Sequence, residues 1–118
     1  MKRNKVDEEV VDDFRKDLEK VVEEFVKNDR VEIFGDLKIE VANMDALALI
    51  KGNAIYVNVT ARNLPKYAIK YIVAHELAHL VIKRHTKKFW EIVKHIYPEY
   101  EKGRDKLVEI HKHQELKS

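Results

Sequence analysis

The chain has 118 residues, 23 basic and 21 acidic side chains, a formal net charge of +2, 45% apolar residues and no cysteine. This leaves room for a single domain with a modest core, 1–118, and excludes general disorder, a collagen-like or low-complexity chain, a disulfide framework and a thiolate metal site. Lys and Arg are interleaved with Asp and Glu, which argues against a nucleic-acid partner and for a solvated, ion-paired surface.

The opening Met1-Lys2-Arg3-Asn4-Lys5 runs into Asp and Glu, with no apolar stretch of the secretory kind. No apolar run approaches the roughly 18 residues of a membrane span, so a cytoplasmic location is expected. The Lys- and Glu-rich composition, with Gln114 as its one Gln, has the thermophile tendency.

From Asp7 to Asp29, Val10, Val11, Phe14, Leu18, Val21, Val22, Phe25 and Val26 recur at steps of three and four. That spacing predicts an amphipathic packing helix. The period then changes to two. Val31 and Ile33 alternate with Glu32, Gly35-Asp36 signals a turn, and Leu37, Ile39 and Val41 alternate with Lys38 and Glu40. Asp45 to Ile50 is ambiguous between strand and helix. Lys51-Gly52-Asn53 reads as a hairpin turn before Ile55, Val57 and Val59. The expectation is a small, largely antiparallel sheet of three or four strands.

Asn63 is placed to cap the next helix and Pro65 suits its first turn. From Pro65 to about Arg84 the residues are apolar nearly all round, as in a helix through the middle of a domain. Thr86 is expected to cap a further helix through Phe89, Trp90, Val93 and Ile96, ended by Pro98. Glu99 to about His113 makes a last helix, with Gly103 as its weak point.

His75-Glu76-Leu77-Ala78-His79 falls inside the central helix. Histidines four apart project from one face, so both imidazoles reach one ion, and neutral imidazole suits zinc. Glu76 points to the side of that face, where it can serve as general base. The third ligand is expected at His85, just where the helix should end and a loop can fold back. Glu91 and Glu99 are the alternatives. His95 reads as surface or cleft wall, and His111 and His113 as solvated.

The stretch Tyr71-Ile72-Val73-Ala74-His75-Glu76-Leu77-Ala78-His79-Leu80, followed by His85-Thr86-Lys87-Lys88-Phe89-Trp90, resembles the YgjP-like and SprT-like zinc metallopeptidase domains. Chain length points closer still, to the minigluzincins, which are stand-alone catalytic domains. Many members carry a small residue and Pro after the third histidine, where this chain has Thr86-Lys87. The resemblance implies an α+β, zincin-like fold: an N-terminal helix, a small mostly antiparallel sheet, a central active-site helix and C-terminal helices. It also implies one zinc per chain, with His85 as third ligand, and hydrolysis of peptide or protein substrates, often under restraint.

In zincins the strand before the active-site helix lies at the sheet edge and pairs with an extended substrate. Ile55, Tyr56, Val57 and Asn58 are the counterpart here. Tyr97, Tyr100 and His95 are the candidates for stabilising the oxyanion. Residues 105–118, with His111 and His113, form either a packed helix with a solvated Lys-rich end or a tail that covers the cleft, its own or a neighbour's by self-association. The other functional classes are a catalytically inactive zinc-binding module and, through the SprT-like resemblance, a protein acting on nucleic-acid-bound partners.

Overall fold

A computed structural model describes residues 7–110. It has four helices, a short 3-10 turn and a three-stranded sheet, in the order α1 (Glu8–Lys27), β1 (Lys38–Ala42), β2 (Ala48–Lys51), β3 (Ala54–Asn58), the 3-10 turn Val59–Asn63, α2 (Lys66–His79), α3 (Lys87–Ile96) and α4 (Tyr100–Ile110).

Helix α1 starts where the Asp7 carboxylate accepts the Glu9 amide at 3.0 Å. Its first turn carries Glu8 and Glu9, on the side where the helix dipole favours negative charge. The stripe Phe14, Leu18, Val21, Val22 and Phe25 is buried, as its spacing predicts. Val31 and Ile33 rest against the core as partly buried side chains without strand pairing. The alternation there marks burial of every second residue and no strand.

The sheet order is β1-β3-β2. β2 and β3 form the expected antiparallel hairpin, closed at Gly52 with φ 61°. β1, however, lies parallel to β3, so the sheet is mixed and not mostly antiparallel. The cause is the segment from Asn43 to Leu47, which carries the chain across to the far side of β3. Asn58 pins that crossing: its side-chain amide donates to the carbonyls of Met44 at 2.6 Å and Ala46 at 3.1 Å. Hydrophobic periodicity locates strands but is silent on their order. Two apolar rows, Ile39–Ile55–Ile50 and Val41–Val57–Ala48, run across the sheet. α1 packs along β1 and α2 along β2, and the two helices touch.

Pro65, and not Asn63, holds the N-cap position of α2. Asn63 ends the preceding 3-10 turn, which Asn58 caps by accepting the Thr60 amide at 3.0 Å. α2 is buried over Ala68 and continuously from Tyr71 to His79, because α1, α3, α4 and β2 surround it. It stops at His79, five residues short of Arg84. Beyond that point Leu80 and Val81 turn outward, 41% and 65% exposed, while Ile82 still packs against the core. Thr86 caps α3 by accepting the Phe89 amide at 3.2 Å.

Candidate metal centre

His75 and His79 lie on one face of α2, with ring centroids 4.9 Å apart and both side chains buried. His85 cannot reach them from a continued helix. Six further residues would carry it about 9 Å along the axis and roughly 240° around it. The end of α2 at His79 and the loop to Thr86 turn the chain back instead. The ligand nitrogens of His75, His79 and His85 then all lie within 4.8 Å of one another.

The nitrogen chemistry suits a metal. His79 Nδ1 sits 3.0 Å from the Ile82 carbonyl, so the Nδ1–H tautomer donates there and leaves the Nε2 lone pair facing the cluster. His79 Nε2 and His85 Nε2 are 3.1 Å apart. Two nitrogens bound to one tetrahedral zinc at about 2.0–2.1 Å stand about 3.3 Å apart, so the pair already has the spacing of shared ligands. Burial lowers the His75 pKa. The Glu76 hydrogen bond and charge oppose that shift, and His79 and His85 add to it. The net effect favours the neutral imidazole that a metal requires. Three imidazoles without a thiolate suit a borderline divalent ion.

Glu76 is fully buried, with Oε2 3.3 Å from His75 Nδ1. The next residue on a helix is turned about 100°, so its carboxylate flanks the three nitrogens and is not one of them. Among the described residues the three histidines form the one cluster able to hold an ion. Glu91 and Glu99, the alternative third ligands, are exposed and outside it.

Behind the histidines stands Phe89, fully buried, its ring 5.1, 4.4 and 5.0 Å from those of His75, His79 and His85. Trp90 stacks on His85, and Tyr71 meets His75 edge-on at 5.7 Å. Along the sequence Phe89, Trp90 and Tyr71 stand only as apolar residues of helices. The available signals were their places, one turn before His75 and one turn after His85.

Of the three oxyanion candidates, Tyr100 alone joins these rings, through Trp90 and Tyr71. Tyr97 packs against Phe25, and burial raises its pKa. His95 is exposed, and its carbonyl accepts from Arg30 Nη1 at 3.4 Å. Both lie toward the C-terminal end of α1. The edge-strand expectation for Ile55, Tyr56, Val57 and Asn58 is not met. β3 is the central strand, paired on both sides, and the sheet edges are β1 and β2. His111 and His113 lie outside the described residues. Residues 105–110 belong to α4, with Leu107 buried, so a separable tail starts no earlier than 111.

The YgjP-like metallopeptidase domain matches residues 2–110. The metallopeptidase zymogen abylysin of Pyrococcus abyssi superposes with a TM-score of 0.71 at 21% identity, over 84% of this chain and 99% of that one. The metallopeptidase zymogen jannalysin of Methanocaldococcus jannaschii gives 0.62 at 24% identity, over 80% and 95%. Both share the fold. A UTP pyrophosphatase of Escherichia coli (strain K12) is 46% identical over 39 residues, 33% of this chain, and that match spans 23% of the relative's length.

Proposed function

The chain belongs to the YgjP-like metallopeptidase domain family, and from that premise we propose that it is a zinc-dependent endopeptidase using His75, His79 and His85 as ligands and Glu76 as general base. The observation that carries this reading is the convergence of three histidine nitrogens within 4.8 Å beside a fully buried carboxylate. Zinc held there would supply Lewis acidity, for polarising a carbonyl and acidifying a water. Glu76 takes the proton of the attacking water at Oε2 and returns it to the departing amine nitrogen, so that the peptide bond breaks with addition of one water. Ile82, through its carbonyl, holds His79 in the required tautomer. Phe89 keeps bulk water off the inner side of the imidazoles. An extended peptide would be aligned by the outer edge of β2, the edge strand that packs against α2. Latency through residues 111–118, alone or in a self-associated form, belongs to the same proposal.

A second reading is hydrolysis of a phosphoanhydride, the reaction in the name of the Escherichia coli relative. Its support in this chain is the set Lys83, Arg84, Lys87 and Lys88, all exposed and flanking His85 with no acidic residue among them. Such a set would suit a polyphosphate. One experiment separates the readings: zinc-loaded protein is given casein, quenched peptides and UTP, each with and without a chelator, and Glu76→Gln is run in parallel. The expected result is chelator-sensitive peptide cleavage that falls at least a hundredfold in Glu76→Gln, with zinc retained. Turnover of UTP alone selects the second reading. Zinc binding with no turnover, in the full chain and in a chain ending at Ile110, leaves an inactive zinc-binding module.

A further inference from the structure

A column of near-parallel rings links the third histidine to the helix that carries the other two. His85 and Trp90 stack at 6.0 Å and 27°, Trp90 and Tyr100 at 6.0 Å and 27°, and Tyr100 and Tyr71 at 6.4 Å and 22°. All three spacings fall in the offset-stacked range of aromatic pairs. The four rings come from four segments: the loop after α2, then α3, α4 and α2 itself. The column closes on the site, because Tyr71 meets the His75 ring edge-on at 5.7 Å.

His75 and His79 are oriented by the backbone of a buried helix. His85 is exposed and stands in a loop. An exposed side chain loses rotamer freedom when a ligand fixes it, and contacts that restrict it beforehand reduce that loss. Trp90 is half-buried and has only two side-chain torsions, so it presents a stiff face to His85. Tyr100 is half-buried as well and backs Trp90 from α4. Gly103 holds α4 close: an added Cβ would stand 2.5 Å from Tyr71 Cβ.

We propose that Trp90 and Tyr100 are positioning residues for the metal ligand His85, holding its imidazole toward His75 and His79 so that the three-nitrogen site is assembled before the ion arrives. The inference rests on the metal reading above. The ring and not the hydroxyl of Tyr100 performs the task, so Phe replaces it and Leu does not.

The test is Co²⁺ and Zn²⁺ affinity, by competition with a chromophoric chelator, together with the visible spectrum of the Co²⁺ form. Tyr100→Leu should weaken both metals about tenfold and change the cobalt spectrum, the size expected when an outer partner of a ligand is lost. Tyr100→Phe should keep the wild-type affinity for both metals and the wild-type cobalt spectrum. Trp90→Leu probes the same column from α3, so if one Leu variant fails to fold the other decides. In a His85→Ala background, Tyr100→Leu should change the remaining affinity by less than about twofold, because the coupling runs through His85. A general loss of stability would lower the melting temperature and leave the affinity and cobalt spectrum of the folded protein unchanged. The proposal is overturned if the Leu variants bind metal as wild type does, or if Tyr100→Leu costs as much without His85 as with it. Wild-type protein that takes up no metal removes the metal reading itself, an outcome distinct from variants that match a metal-binding wild type.

Discussion

His79 uses both ring nitrogens: Nδ1 meets the Ile82 carbonyl, and Nε2 faces His85. Removing it therefore takes away more than one nitrogen of the cluster. In His79→Ala the Ile82 carbonyl loses its donor, and the metal-free protein should lose about 1–3 kcal/mol. His85→Ala, at an exposed position, should leave metal-free stability near wild type. Both variants should lose most of the melting-temperature rise that zinc produces in wild type. Melts with and without zinc separate the two cases. His75 sets a pH dependence. Burial holds its pKa below the ordinary value, so in the window beneath about 6.5 the unfolded chain binds more protons than the folded one. This contribution is present above that window and is lost as the pH falls through it. The urea midpoint of the metal-free protein should drop on acidification, and less so in His75→Gln.

At the scale of elements, the contact between α4 and α2 turns on one residue. Gly103 is a poor helix former, by about 1 kcal/mol against Ala. That propensity predicts a weak point in the last helix, yet α4 runs unbroken from Tyr100 to Ile110. An added Cβ would meet Tyr71 Cβ at 2.5 Å and the Tyr67 carbonyl oxygen at 2.7 Å, and neither is the flexible end of a side chain. Overpacking of this kind costs about 1–3 kcal/mol, which exceeds the gain in propensity. Gly103→Ala should accordingly lower the melting temperature by several degrees, read by circular dichroism. An unchanged or higher value would mean that α4 can move off α2 without cost. A similar logic applies at the start of α3. Thr86 caps that helix one residue after His85, so the cap sets where the ligand loop ends.

For the whole molecule, the question is where the compact domain ends. Leu107 is buried and α4 reaches Ile110, so a truncation after Arg104 would remove part of the core. A truncation after Ile110 removes only the residues beyond it. If residues 111–118 restrain the enzyme, the shorter chain should melt within a few degrees of the full chain and cleave quenched peptides faster. Equal rates in the two chains would dismiss latency through that segment.

The central helix was legible because His75, Glu76 and His79 sit at a spacing that has one geometric consequence, and because a helix apolar on all sides must be surrounded. α1 and the Thr86 cap were legible for the same local reasons: helical period and capping chemistry act over a few residues. The return of His85 to the other two histidines was legible as a chain reversal after the helix, although the reversal begins at His79 and not near Arg84. Three features were decided only in three dimensions. The parallel pairing of β1 with β3 depends on a crossing that Asn58 pins, and a period of two carries no information on strand order. The place of β3 in the middle of the sheet, which took the substrate edge away from Ile55 to Asn58, follows from that crossing. The ring column from His85 to Tyr71 joins residues of four segments, and Tyr71, Trp90 and Tyr100, read along the chain, are ordinary apolar residues of their helices. Local spacing determines which face a side chain occupies; only packing determines which faces meet.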